Sequence, residues 1–145
     1  MQSDNESSFK VPHHTELVMA LTDYLKQISY KITHLIEPNT LFLTQPQKKG
    51  RYAPDLIAKS PDGKIAIGLA VNIIKPYNEP TKTKLLDFAC RYDRQSKLPV
   101  EFFIGIPDNN DAFYNIKHFY ADQKSDRQKY NVRIIRLKIG NTQPT

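Results

Sequence analysis

The sequence predicts a single α/β domain in which helices flank a mixed central β-sheet. Three patterns support this prediction: apolar residues at helical spacing near the start, a hairpin pattern in the middle, and strands that alternate with helices towards the end. A length of 145 residues is close to that of one domain, and 39% hydrophobic residues suffice for a packed core. We expect residues 12–139 to form the domain, with flexible tails at 1–11 and 140–145.

The individual elements follow from local periodicity and turn residues. Apolar residues at every third or fourth position predict helices over residues 13–27, 82–95 and 111–120. Runs rich in β-branched and aromatic residues predict strands over residues 30–36, 40–44, 55–59, 64–74, 100–107 and 132–139. The Asp62-Gly63 pair readily adopts the positive φ angles of a tight turn, so it predicts a hairpin between the strands at 55–59 and 64–74. The last strand alternates apolar and basic residues, which predicts an outer strand with one face in water.

The charge of the chain favours partners that carry phosphates. The formal net charge is +6, and a positive protein attracts polyanions and gains from counterion release. A basic surface kept for solubility is the alternative explanation. The residues that we predict to bind nucleic acid are Lys48, Lys49, Arg51, Lys75, Lys82 and Lys84.

Several classes of protein are disfavoured by what the sequence lacks. No apolar run approaches the roughly 20 residues that span a bilayer, and residues 1–10 are polar, so we expect a cytoplasmic protein without a membrane partner. A single cysteine, Cys90, forms neither an internal disulfide nor a cysteine-built zinc site. The adjacent His13 and His14 diverge by about 100° on a helix, so they do not share one metal. No glycine-rich phosphate loop or serine nucleophile motif is present.

One stretch of the chain carries a family resemblance. Pro54-Asp55-Leu56-Ile57-Ala58, the Asp62-Gly63 turn and the apolar run over 65–73 resemble the hairpin of the PD-(D/E)xK, or restriction-endonuclease-like, nuclease superfamily. The resemblance covers most of residues 13–107 and implies a core in which a helix precedes this hairpin and a helix and strand follow. It also implies that Asp55 is catalytic and holds a divalent metal, Mg²⁺ if the site is active.

The second half of the motif departs from the family pattern. In the family, an acid on the second strand shares the metal, and a lysine two positions later assists the attacking water. These positions are occupied here by Ala70, which cannot bind metal, and Asn72, which is uncharged. An acid supplied from a neighbouring helix is an alternative, with Asp87 as the first candidate and Glu16 and Glu79 as others.

The motif strand also has one row of small side chains. Ala66, Gly68 and Ala70 alternate with larger apolar residues, so something approaches that face closely. We expect the first helix to pack against it, with a ligand groove as the alternative.

These observations favour a degenerate nuclease-like domain that binds nucleic acid or a protein partner in a DNA-processing system, and they argue against enzymatic activity. Two alternatives stay open. One is an active metal-dependent nuclease with a relocated acid, and the other is a protein-interaction module or homodimer built on the same scaffold.

Overall fold

The computed structural model describes residues 10–35, 52–93, 97–121 and 131–139. Residues 1–9 and 140–145 of the predicted tails, and the predicted strand at 40–44, lie outside the described residues. The helices are α1 (His14–Gln27), α2 (Glu79–Ala89) and α3 (Asn110–Ala121). The strands are β1 (Lys31–Leu35), β2 (Leu56–Lys59), β3 (Ile65–Ala70), β4 (Tyr92–Asp93), β5 (Leu98–Pro99), β6 (Glu101–Pro107) and β7 (Val132–Leu137).

Within the described residues, five strands form one mixed sheet in the order β1-β2-β3-β6-β7, and β4 pairs separately with β5. The first three strands are antiparallel neighbours, whereas β3, β6 and β7 run parallel. Parallel neighbours need a crossover, and α2 and α3 supply the two crossovers. The α/β class and the mixed sheet flanked by helices are therefore confirmed.

Helix α1 covers one face of the sheet because the strands beneath it present small side chains. Ala66 and Ala70 lie buried in one cluster with Leu21 of α1, and Gly68 lies between them. A Cβ atom on Gly68 would lie 2.8 Å from the side chain of Leu56 and 3.2 Å from that of Leu21. The row of small residues thus serves helix packing, as expected from the sequence.

Helices α2 and α3 cover the other face. Phe88 of α2 lies edge-to-face with Phe102 of β6, their ring centroids 5.5 Å apart, and Ile116 of α3 is fully buried in the same cluster. Tyr77, just before α2, is buried there as well, and among the described residues its hydroxyl has no hydrogen-bond partner. Burial raises the pKa of Tyr77 to about 12.

The edge strand β7 differs from its prediction. It lies at the border of the sheet, but the expectation of one wet face is wrong because both of its faces meet a core cluster. Ile134 packs towards α2 and α3, and Leu137 packs towards α1. Arg133 and Arg136 are exposed, and their guanidinium groups lie over the rings of Phe103 and Phe113 respectively. Their side chains therefore shield apolar surface at this edge of the sheet.

A small polar network links α1 to the parallel strands at the other end of the sheet. The Tyr30 hydroxyl donates to Glu101 Oε1 at 2.5 Å, and Arg133 Nε lies 2.8 Å from Glu101 Oε2. Burial and the hydrogen bond to the Glu101 carboxylate raise the pKa of Tyr30 to about 12. This network fixes the chain as it leaves α1 and enters β1.

Candidate functional site

The candidate site is built around Asp55, the residue that precedes β2. Its backbone N–H donates to the Gly68 carbonyl at 2.9 Å, which continues the pairing of β2 with β3. Its carboxylate oxygen Oδ2 accepts the backbone N–H of Ala70 at 2.8 Å. Only 6% of Asp55 is exposed, so this acid is held by the sheet at the carboxyl end of β3.

A histidine from α1 completes the environment of Asp55. His14 Nε2 lies 2.9 Å from Asp55 Oδ2. A carboxylate only accepts hydrogen bonds, so the ring nitrogen carries the proton and donates. The His14 side chain is 44% exposed, against 8% for that of Asp55, so the pair lies at the border between core and water. Asp55 therefore joins the start of α1 to the end of β3 through one oxygen atom.

Asn72 strengthens the same connection from the neighbouring position of the motif. Its Nδ2 donates to the Pro12 carbonyl at 3.1 Å, so it holds the segment that leads into α1. Asp55 bonds to His14, the first residue of α1, and Asn72 bonds to Pro12, two residues earlier. The structure thus brings these two predicted site residues to one edge of the sheet, where each ties α1 in place.

Asp87 has different partners. It belongs to α2, which covers the face of the sheet opposite to α1. Its Oδ2 accepts a hydrogen bond from Arg91 Nη2 at 2.7 Å, and the same nitrogen donates to the Tyr52 carbonyl at 2.7 Å. Asp87 is thus part of an ion pair that fastens the start of the hairpin to α2.

The other two acids considered from the sequence also have local structural contacts. Glu16 accepts the backbone N–H of His13 at 2.8 Å, the contact of a side chain that caps the start of a helix. Glu79 Oε2 lies 3.5 Å from Lys82 Nζ on the next turn of α2. Neither contact brings a second carboxylate to Asp55.

The described residues supply few ligands for a divalent metal beside Asp55. Mg²⁺ favours oxygen ligands and is usually held by one or two carboxylates together with waters and substrate phosphates. The described stretches of the chain contain no group of three His, Cys, Asp or Glu side chains that could hold a metal. The Ala70 side chain is a methyl group that cannot bind metal, and its backbone N–H already bonds to Asp55. The predicted metal role of Asp55 is thus not supported by its described surroundings.

The predicted nucleic-acid-binding residues divide into two groups. Lys48, Lys49 and Arg51 lie outside the described residues. Lys75 is exposed in the loop before α2. Lys82 is close to Glu79, and Lys84 Nζ lies 5.7 Å from the centre of the Tyr52 ring. Lys75 is thus exposed, whereas Lys82 and Lys84 are half-buried and each has a neighbour on the protein.

A groove of about 820 Å³ adjoins the site at the carboxyl ends of β6 and β7. Ligand sites of α/β sheets commonly lie at such an edge. The charged residues that line the groove are Lys10, Glu16, Asp108 and Lys138. The lining therefore carries two lysines and two acids, and one of the acids, Asp108, accepts a hydrogen bond from Arg136 Nε at 2.8 Å.

The sequence reasoning missed His14. The His13-His14 pair was considered only as a possible metal site, which helix geometry argued against, whereas His14 bonds to an acid 41 residues away. No local pattern encodes that contact, because it depends on where the start of α1 lies relative to the end of β3.

The described residues include no helix long and apolar enough to cross a membrane. No family model, curated protein or solved structure matches this chain. The resemblance to the PD-(D/E)xK superfamily therefore rests on the sequence motif and on the order of the elements alone.

Proposed function

We propose that this chain is a restriction-endonuclease-like domain that has lost nuclease chemistry and binds nucleic acid. The proposal rests on one observation: the carboxylate of the motif acid Asp55 is occupied by hydrogen bonds within the protein. Its Oδ2 accepts the Ala70 N–H at 2.8 Å and bonds to His14 at 2.9 Å, at the place where the family would hold a metal with a second acid. An acid in this arrangement stabilises the fold.

The order of elements supports the proposed relationship. Helix α1 comes before the β2–β3 hairpin, and α2 then leads to β6, which pairs in parallel with β3. Asp55 lies at the open end of the hairpin, whereas Asp62-Gly63 forms the turn at the closed end, with Gly63 at a φ of 87°. This order supports the proposed relationship, and Ala70 and Asn72 stand where the resemblance would place an acid and a lysine.

The charge of the chain supports nucleic acid as the partner. A net charge of +6 gives the domain a general attraction for phosphates, and the segment with Lys48, Lys49 and Arg51 carries a concentrated part of it. We place the protein in the cytoplasm, where a single cysteine needs no disulfide partner.

The test is a binding titration by fluorescence anisotropy with labelled single- and double-stranded DNA and RNA at several salt concentrations. We expect binding that weakens steeply with salt, with each phosphate contact adding about 0.9 to the slope of log K against log salt for duplex DNA. The double variant Lys48→Glu with Lys49→Glu should lose affinity. A matched control with the same change of charge is Lys26→Glu with Lys117→Glu, on the exposed sides of α1 and α3.

The rival functions predict different results. An active nuclease with a relocated acid would cut the same substrates in Mg²⁺ or Mn²⁺, and the cutting would disappear in Asp55→Ala. A protein-interaction module would show no specific dependence on the Lys48 and Lys49 charges, and if it were a homodimer its mass in solution would also exceed that of one chain. Either result would overturn the proposal.

A further inference from the structure

Two lysines lie directly opposite each other on neighbouring antiparallel strands. Lys31 of β1 is the register partner of Lys59 of β2. The next pair in the ladder, Ile32 and Ala58, is buried towards α1. Side chains alternate between the faces of a sheet, so both lysines point to the face opposite α1. Their charged groups thus share one small area of surface.

This pairing works against the stability of the sheet. Like charges directly opposite each other on antiparallel strands repel. Both lysines are exposed, and among the residues that the structure describes neither forms an ion pair that would relieve the repulsion. A carboxylate at either position would stabilise the strands. The pair of positive charges is instead suited to an anionic binding partner.

An apolar residue extends the row to a third strand. Lys59 is opposite Ile65 of β3, which is 43% exposed despite its size. Lys31, Lys59 and Ile65 therefore form a row across three strands, which we call the lysine row. It lies at the closed end of the hairpin, away from Asp55. Asp62, the nearest acid along the chain, accepts a hydrogen bond from the Ser60 hydroxyl within the turn.

We propose that the lysine row is a contact site for the sugar-phosphate backbone of nucleic acid. This inference rests on the proposed function and states which surface of the domain would bind the nucleic acid. Two neighbouring ammonium groups complement two phosphates, and a bound polyanion removes the repulsion that the sheet otherwise carries. Ile65 adds an apolar surface beside them, suited to the sugar.

Charge reversal of one lysine separates binding from folding. Lys31→Glu or Lys59→Glu turns the repelling pair into an attractive cross-strand pair, so each variant should melt at the same temperature as the wild type or above it. Each should nevertheless bind labelled DNA more weakly, by about 8-fold or more at 0.1 M salt, because one phosphate contact adds about 0.9 to the salt slope. Lys117→Glu on α3 is the control with the same change of net charge.

The outcomes keep the inference distinct from the proposed function. Weaker binding with an unchanged or raised melting temperature in both row variants, and not in Lys117→Glu, supports the lysine row. If the wild type binds DNA and the row variants bind like Lys117→Glu, the row is not the contact site, although the proposed function stands. If the wild type does not bind DNA or RNA at any salt concentration, both proposals fail.

Discussion

Replacing Asp55 with alanine tests whether this acid is structural. In the folded protein its Oδ2 accepts the Ala70 N–H and bonds to His14. Asp55→Ala leaves a buried backbone donor without a partner and releases the start of α1 from the sheet. We therefore expect a clear loss of stability. If Asp55 were kept for metal chemistry, the same substitution should leave the stability unchanged or raise it, because active-site groups commonly contribute nothing to stability or lower it.

The size of the loss follows from the two contacts. A buried donor left unsatisfied costs about 1–3 kcal/mol. The contact with His14 adds up to about 1 kcal/mol, discounted because 44% of the histidine side chain is in water. The free energy of unfolding should therefore fall by about 1–4 kcal/mol in total. For a chain of this length, each kcal/mol lowers the melting temperature by roughly 2–4 °C.

Urea unfolding followed by circular dichroism measures this loss. At a slope near 2 kcal/mol/M, the midpoint should shift by about 0.5–2 M while the slope itself stays constant. Asp55→Asn is the matched control: it removes the charge but keeps an acceptor for the Ala70 N–H, so it should lose less than half as much. The double variant with His14→Ala should lose less than the sum of the single losses, because the two residues are in contact. A stability of Asp55→Ala within about 0.5 kcal/mol of the wild type, the range of ordinary surface changes, would refute the reasoning.

Three further predictions concern the fold. Gly68→Ala should lower the free energy of unfolding by about 1–3 kcal/mol in urea titrations, because the new methyl would lie 2.8 Å from Leu56; an unchanged midpoint would contradict the close packing. Tyr77→Phe should raise the free energy of unfolding by about 1 kcal/mol, since a buried hydroxyl without a hydrogen bond is removed; a large loss of stability would show that the hydroxyl has a partner. Tyr30 has a folded pKa of about 12 against an ordinary 10.0, so its stabilisation is intact below pH 10 and lost as the pH rises towards 12. Tyr30→Phe should thus weaken the fall of stability between pH 10 and 12, and an equally steep fall would count against this assignment.

The regular elements could be predicted from the sequence wherever periodicity and turn residues agree. The helix at 13–27 became α1, and the Asp62-Gly63 turn joined β2 to β3, because these patterns depend on neighbouring residues alone. Boundaries were less accurate. Helix α2 begins at Glu79, not at 82, because Asn78 Oδ1 accepts the Thr81 N–H at 3.0 Å and caps it. It ends at Ala89, and the chain continues into β4 where the sequence predicted helix.

The predicted strand over 64–74 was also too long. Strand β3 ends at Ala70, and Asn72 then turns its side chain to Pro12. Ile73 and Ile74 are apolar because they pack against the core beside α2 and α3, although they do not continue β3. Their apolar character made the predicted strand longer than the observed one. An apolar run shows that residues are buried, but it does not show that they are paired.

The candidate site was only partly visible in the sequence. Asp55 and Asn72 were found from the motif, but their partners His14 and Pro12 are 41 and 60 residues away. Such contacts depend on the packing of α1 across the row of small residues in β3. The same applies to the lysine row, because the opposition of Lys31 and Lys59 depends on strand register.

The most direct test of the central claim is a cleavage assay under conditions of saturated binding. Labelled DNA and RNA are incubated with an excess of the chain in Mg²⁺ or Mn²⁺ at low salt, with Asp55→Ala alongside, and the products are separated on a denaturing gel. We predict that the nucleic acid is bound and stays intact with both proteins. Metal-dependent cutting by the wild type that is absent in a folded Asp55→Ala protein would contradict the account.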